Sequence, residues 1–138
     1  MRTKKPWLKH YPDGTPKVLE FDPRRTLVTL LDESEAKYSS HLAFTNFDVS
    51  IDYTKIAEDS RSFAAYLQNV LGLKKGDRIA MMMPNLLQYP VAIFGALRAG
   101  LIVVNVNPLY TPRELKHQLQ DSGAKAIIIF ENSAHVLS

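Results

Sequence analysis

The stretch LRAGLIVVNVNPLYTPREL, residues 97–115, decides the fold. It reads in order as a helix end closed at Gly100, a buried strand rich in β-branched residues, a turn at Asn107-Pro108 and the start of a second helix. Thr111, Pro112 and Glu114 make a T-x-x-E capping box with proline at the first helical position, and Tyr110 and Leu115 suit a hydrophobic staple. The second helix is therefore predicted to begin at Pro112, to turn Leu115 and Leu119 inward and to close at Gly123.

Outward from this stretch the same alternation continues. Residues 78–83, 101–106 and 125–130 are three short apolar or β-branched runs without strict alternation, the pattern of strands covered on both faces. Residues 85–99 are nearly all apolar, with small positions at Ala92, Gly95, Ala96 and Ala99, which predicts a buried helix. Pro90 would remove a hydrogen bond inside it, so a late start or a kink is expected there. A further helix follows Thr54, which is read as its cap. Its stripe is Ile56, Ser60, Phe63, Ala64, Leu67, Val70 and Leu71, and Gly72 ends it. Residues 26–38 carry Leu27, Leu30, Leu31 and Ala36 near helical spacing, and 41–46 and 49–53 read as two short strands around Asp48. Strands separated by single helices define an α/β fold with a mostly parallel sheet and flanking helices.

The division expected is an irregular, extended arm over residues 1–25, laid across the domain, and a partial α/β subdomain over 26–138. The arm mixes Pro6, Pro12, Pro16, Pro23 and Gly14 with charge. It also holds the charge asymmetry: of a net +3, residues 1–25 carry seven Lys/Arg against Asp13, Glu20 and Asp22. Arg2, Lys4, Lys5 and Lys9, interleaved with Trp7 and Tyr11, form a candidate membrane-surface contact, because basic groups meet anionic headgroups and aromatic rings favour the interface. The competing reading is a solvated arm with Trp7 packed on its own domain. The body of the chain has no basic stripe, so nucleic acid is not an expected partner. No apolar run approaches a membrane span, no secretory signal pattern opens the chain, and there is no cysteine. A cytoplasmic protein is expected, with peripheral contact on the cytoplasmic face of the inner membrane as a further possibility.

Ligands of such sheets lie outside the carboxyl ends of the strands, here residues 84–85, 107–110 and 131–133. The substrate-side candidates are accordingly Asn85, Asn105, Asn107 and Tyr110, though an asparagine before proline is equally a turn former. Phosphate-binding loops need clustered glycines, and Gly14, Gly72, Gly76, Gly95, Gly100 and Gly123 are scattered. A dinucleotide-binding domain is disfavoured on that ground. His10, His41, His117 and His135 show no metal-ligand spacing, and Asp52, Glu58 and Asp59 read as the acidic start of a helix. No catalytic, cofactor-binding or metal-ligating residue is assigned.

Three segments carry a resemblance. IDYTKIAEDSRSFAAYLQ, GLKKGDRIAMMMPNLLQYPVAIFGALRAG and LIVVNVNPLYTPRELKHQLQDSGAKAIII, in this order, resemble the opening of the adenylate-forming (AMP-binding) superfamily, and PWLKHYPDG fits its bacterial long-chain fatty acid CoA ligase branch. The resemblance implies a parent enzyme that uses ATP, Mg and CoA to convert a long-chain fatty acid to acyl adenylate and then to acyl-CoA. The family's Ser/Thr/Gly-rich phosphate loop and catalytic lysine have no counterpart in these 138 residues. The chain is thus read as an N-terminal fragment, inactive alone, whose partner is the remainder of its own enzyme and whose open strand at 127–130 favours self-association. The alternative is a noncatalytic acyl-, membrane- or protein-binding module on the same scaffold.

Overall fold

A computed structural model describes residues 5–137. After a 3-10 turn at Pro6–His10 the chain forms α1 (Leu27–Tyr38), β1 (Leu42–Asn46), β2 (Val49–Asp52), α2 (Tyr53–Asn69), β3 (Arg78–Met82), α3 (Gln88–Arg98), β4 (Ile102–Asn105), α4 (Pro112–Ser122) and β5 (Ala126–Ile129), and then a second 3-10 segment, Glu131–Leu137. β1 and β2 pair as an antiparallel hairpin, and β3, β4 and β5 form a parallel sheet in the order β4-β3-β5.

The central strand explains the layers. Successive side chains of a strand point to opposite faces. Ile79 and Met81 therefore join Ala64, Leu67, Ala92 and Ala96 of α2 and α3 on one face, while Ala80 and Met82 join Leu115 of α4 and Val136 on the other. Ile79, Met81 and Met82 are fully buried, each contributing about 1.5–3 kcal/mol of apolar burial. The expectation of cover on both faces holds for β3. The flanking strands are covered incompletely: β5 is half-buried throughout, and β4 is exposed at Ile102 and Asn105.

Local chemistry sets the helix ends. Thr111 and Glu114 close the capping box, and Gly123 ends α4 in the left-handed region at φ 63°. Tyr110 packs in the same cluster as Leu115, as a staple requires. α3 starts at Gln88, so Pro90 falls in the first turn, where a missing N–H breaks no helical bond. Two expectations need correction. The cap of α2 is Asp52, whose carboxylate accepts from Lys55 N at 2.7 Å; Thr54 lies inside the first turn and its hydroxyl donates to Ser39 O at 3.2 Å. Val70 and Leu71 are exposed because the helix has already ended at Asn69.

The arm contains the Pro6–His10 turn, and residues 11–25 are exposed without regular structure. Val18, Leu19 and Phe21 are among its exposed apolar side chains.

Candidate functional site

The carboxyl end of the sheet is built by three connections. Val106 N donates to Met81 O at 2.9 Å and Phe130 N to Met82 O at 3.0 Å, so the chain leaves β4 and β5 beside the end of β3. The loop leaving β3 turns at once, with Leu86 N donating to Pro84 O at 2.9 Å, and enters α3. The β1–β2 hairpin is tied to this loop by Asn46 Nδ2, which donates to Asn85 O at 3.0 Å.

Two apolar cavities open on either side of that tie. One, of about 370 Å³, is walled by Phe44, Asn46, Asn85, Leu87, Tyr89 and Ile93. The other, of about 550 Å³, lies between Phe47 and Val49 of the hairpin and Met83, Ile129 and Phe130 at the strand ends. Asn46, Leu86 and Leu87 border both. Apolar walls with a few polar groups at the rim, beyond the ends of parallel strands, are the usual construction of a small-molecule site. The hairpin reaches its position through a turn with φ 47° at Phe47 and 61° at Asp48, a left-handed pair made without glycine.

Of the four substrate-side candidates, Asn85 lines the first cavity. Asn105 is set behind it: its Oδ1 accepts from the Tyr89 hydroxyl at 2.8 Å, which fixes a wall residue, and its carbonyl accepts from Gln118 Nε2 at 3.0 Å. The Asn107 side chain accepts from Leu109 N at 3.0 Å and organises the turn before α4, and Tyr110 packs against the α4 face of the sheet. The hairpin side of the groove was not anticipated from sequence; the signal was Phe47, an apolar residue at the tip of a turn. Of the arm candidates, Lys5, Trp7, Lys9 and Tyr11 are exposed, with Trp7 at 52% and Tyr11 at 41%. Arg2 and Lys4 lie outside the described residues.

The strongly held carboxylates stand away from the groove. Lys125 Nζ, 2.6 Å away, and the Lys74 backbone N–H hold the Asp77 carboxyl below its ordinary range, and the Thr111 backbone N–H and hydroxyl do the same for Glu114. Among the described residues no group of three His, Cys, Asp or Glu is placed to hold a metal ion, and no helix is long and apolar enough to cross a membrane.

A parallel sheet with an apolar groove at its carboxyl ends and this order of motifs fit one class: the chain belongs to the AMP-binding enzyme family, which matches residues 31–137. Within that class it is 60% identical over 134 residues to a long-chain-fatty-acid–CoA ligase of Escherichia coli O6:H1, a match covering 97% of this chain and 24% of the relative. Among solved structures it resembles a benzoate CoA ligase from Burkholderia xenovorans LB400 (29% identity, TM-score 0.75) and a Mycobacterium tuberculosis fatty acyl CoA synthetase (28%, 0.75). Each of those alignments covers 80% of this chain and 22% of the other. The chain spans about a quarter of the length of the curated relatives it matches and corresponds to their N-terminal part.

Proposed function

We propose that the chain serves as the opening wall of a long-chain fatty acid CoA ligase. The observation that carries this reading is the 60% identity to the Escherichia coli ligase sustained over nearly the whole chain, arm included. In such a ligase the fatty acid carboxylate attacks the α-phosphate of ATP, giving acyl adenylate and pyrophosphate; the CoA thiol then attacks the acyl carbon and AMP leaves. The six glycines do not cluster into a phosphate cradle, and no residue of this chain is assigned to ATP, Mg or CoA. Its share is positional: β3, β4 and β5 supply sheet, and the groove bordered by Asn46, Asn85 and Tyr89 supplies apolar surface beside the reacting groups. Asn105 acts through Tyr89 as a positioning residue.

The remainder of the same enzyme is the partner that covers this groove and the free edge of β5. A chimera tests the proposal: this sequence replaces the matching segment of the Escherichia coli relative. The folded chimera should form long-chain acyl-CoA from fatty acid, ATP and CoA, whereas the chain alone should form no thioester and show no saturable MgATP binding. A folded chimera without thioester formation would overturn the assignment.

The exposed Pro6–His10 turn favours one further role, contact with the cytoplasmic face of the inner membrane through Lys5, Trp7, Lys9 and Tyr11 together with Arg2 and Lys4. A water-poor substrate makes such an address useful to the enzyme.

A further inference from the structure

Helix α1 has an unusual inward face. Its positions that are not exposed are Val28, Leu31, Asp32, Ser34 and Glu35, and Leu31 alone is buried. Two of the five are carboxylates. Both carboxylates meet arginines: Arg98 Nη2 of α3 donates to Asp32 Oδ1 at 2.5 Å, Arg61 of α2 pairs with Glu35, and Arg61 Nη2 also lies 3.9 Å from Asp32 Oδ1. Arg98 is the pinned member, its side chain only 12% exposed and its Nε donating to the buried Ser60 Oγ at 3.0 Å. Ser60 Oγ in turn donates to Ala57 O at 3.0 Å, so the α2–α3 pair presents Arg98 rigidly.

The two ends of α1 are held differently. At the carboxyl end the bonds are uncharged: Ser39 O accepts from both Thr54 N and Thr54 Oγ1 at 3.2 Å, His41 N donates to Tyr38 O at 2.8 Å, and the Tyr38 ring meets His41 edge-on. At the amino end the Thr26–Thr29 capping box and the Arg25–Glu33 pair tie the helix only to its own leading residues, and the chain before them is the exposed arm. A helix anchored by neutral bonds at one end, by Leu31 and the half-buried Val28 on its inward face and otherwise by ion pairs is a strap with a pivot.

We propose that α1 is a charge-held strap over the α2–α3 pair: loss of the Arg98 and Arg61 pairs releases it about residues 39–41 while the sheet stays intact. Arg61 and Asp32 are about half exposed, where pairs contribute little, but Arg98 is only 12% exposed, so removing its partner leaves a largely buried cation unpaired. The proposal does not depend on the ligase assignment.

Hydrogen exchange read by mass spectrometry on the full chain tests it. The Arg98 pair is too well buried for salt to screen it effectively, so the test removes its charges by substitution, Arg98→Gln on one side and Asp32→Asn on the other. Exchange across Leu27–Tyr38 should then quicken by about tenfold, the scale of one hydrogen bond to a charged group, with Arg78–Met82 unchanged. Unchanged protection of α1 in both variants, or loss of protection in α1 and β3 together, would overturn the strap. If Arg98→Gln does not fold, Asp32→Asn, at the more exposed partner, still decides.

Discussion

Gly95 of α3 lies against Phe63 of α2 so closely that a methyl group at Gly95 would stand 2.7 Å from Phe63 Cδ1 and 3.1 Å from the Ser60 carbonyl oxygen. Two effects oppose each other in Gly95→Ala. Alanine is the better helix former by about 1 kcal/mol, whereas overpacking a close contact costs about 1–3 kcal/mol. The Phe63 ring can turn aside, but the Ser60 carbonyl is helix backbone and cannot. Overpacking should win, with a net loss of about 1 kcal/mol in urea unfolding. An unchanged or higher midpoint would show that α2 and α3 separate freely.

At α4 the Thr111 hydroxyl accepts from Glu114 N, and Thr111 N and Oγ1 both donate to Glu114 Oε2, at 2.9 and 2.7 Å. Thr111→Ala removes the hydroxyl and should destabilise the chain by about 1 kcal/mol. Thr111→Ser should recover most of that loss. Equal unfolding midpoints for the alanine variant and the parent would mean that packing at Leu115 alone sets the helix start.

Acid should weaken the fold in a defined direction. Asp77 and Glu114 have folded-state pKa values below their unfolded ones, Asp77 chiefly through the Lys125 ammonium and Glu114 chiefly through the Thr111 N–H. The folded state binds fewer protons, so their stabilisation is complete above the unfolded carboxylate values of about 4 and disappears as pH falls through the folded ones. Unfolding midpoints collected from neutral to acidic pH should fall over that interval. Lys125→Met should make the fall shallower; a slope unaltered by that change would remove the Lys125 pair from the explanation.

The isolated chain should self-associate through the free edge of β5 and the apolar groove, because unpaired backbone beside apolar surface promotes pairing with a second chain. Light-scattering mass across a dilution series should show reversible dimers. A monomer at every concentration, with no binding of an apolar dye, would mean that these surfaces are adequately covered within the chain.

Anionic vesicles should sediment the chain weakly and in a salt-sensitive manner, with each arm cation near the surface contributing about 1 kcal/mol. Removal of residues 1–11 should abolish the effect. Equal sedimentation of full and trimmed chains would exclude the arm as the contact.

The elements legible in the sequence were those whose signals are local. The T-x-x-E box and Gly123 marked both ends of α4, and the three apolar or β-branched runs marked the parallel strands. Thr54 was mistaken for a cap because Asp52 and Thr54 are both competent N-cap residues, and only the path from β2 into α2 selects the aspartate. The hairpin turn was harder to foresee: Phe47 and Asp48 take left-handed conformations that usually announce themselves as Asn-Gly. The groove joins residues 44–49 to residues 83–94 and 129–131, a proximity that depends on tertiary docking of the hairpin. Nothing in either segment alone carries it. Asn105 stood out as a polar residue at a strand end, but its tie to Tyr89 needed the packing of α3 against β4.

The order β4-β3-β5 places the earliest strand of the parallel sheet in its middle. A ribosome delivers β3 before either neighbour, so during synthesis Ile79 to Met82 wait with both backbone edges open until all of α3 and then all of α4 have emerged. Only α2, already made, can shelter them, and it reaches just the Ile79 and Met81 side. Ala80 and Met82 stay bare until Val106 and then Leu115 arrive. Each strand pairing must also close a loop containing a whole helix, the slow kind of step in folding. The nascent chain thus passes through an interval in which its stickiest strand is its least protected, and slowing translation between β3 and β4 should lower the yield of folded protein more than slowing it after β5.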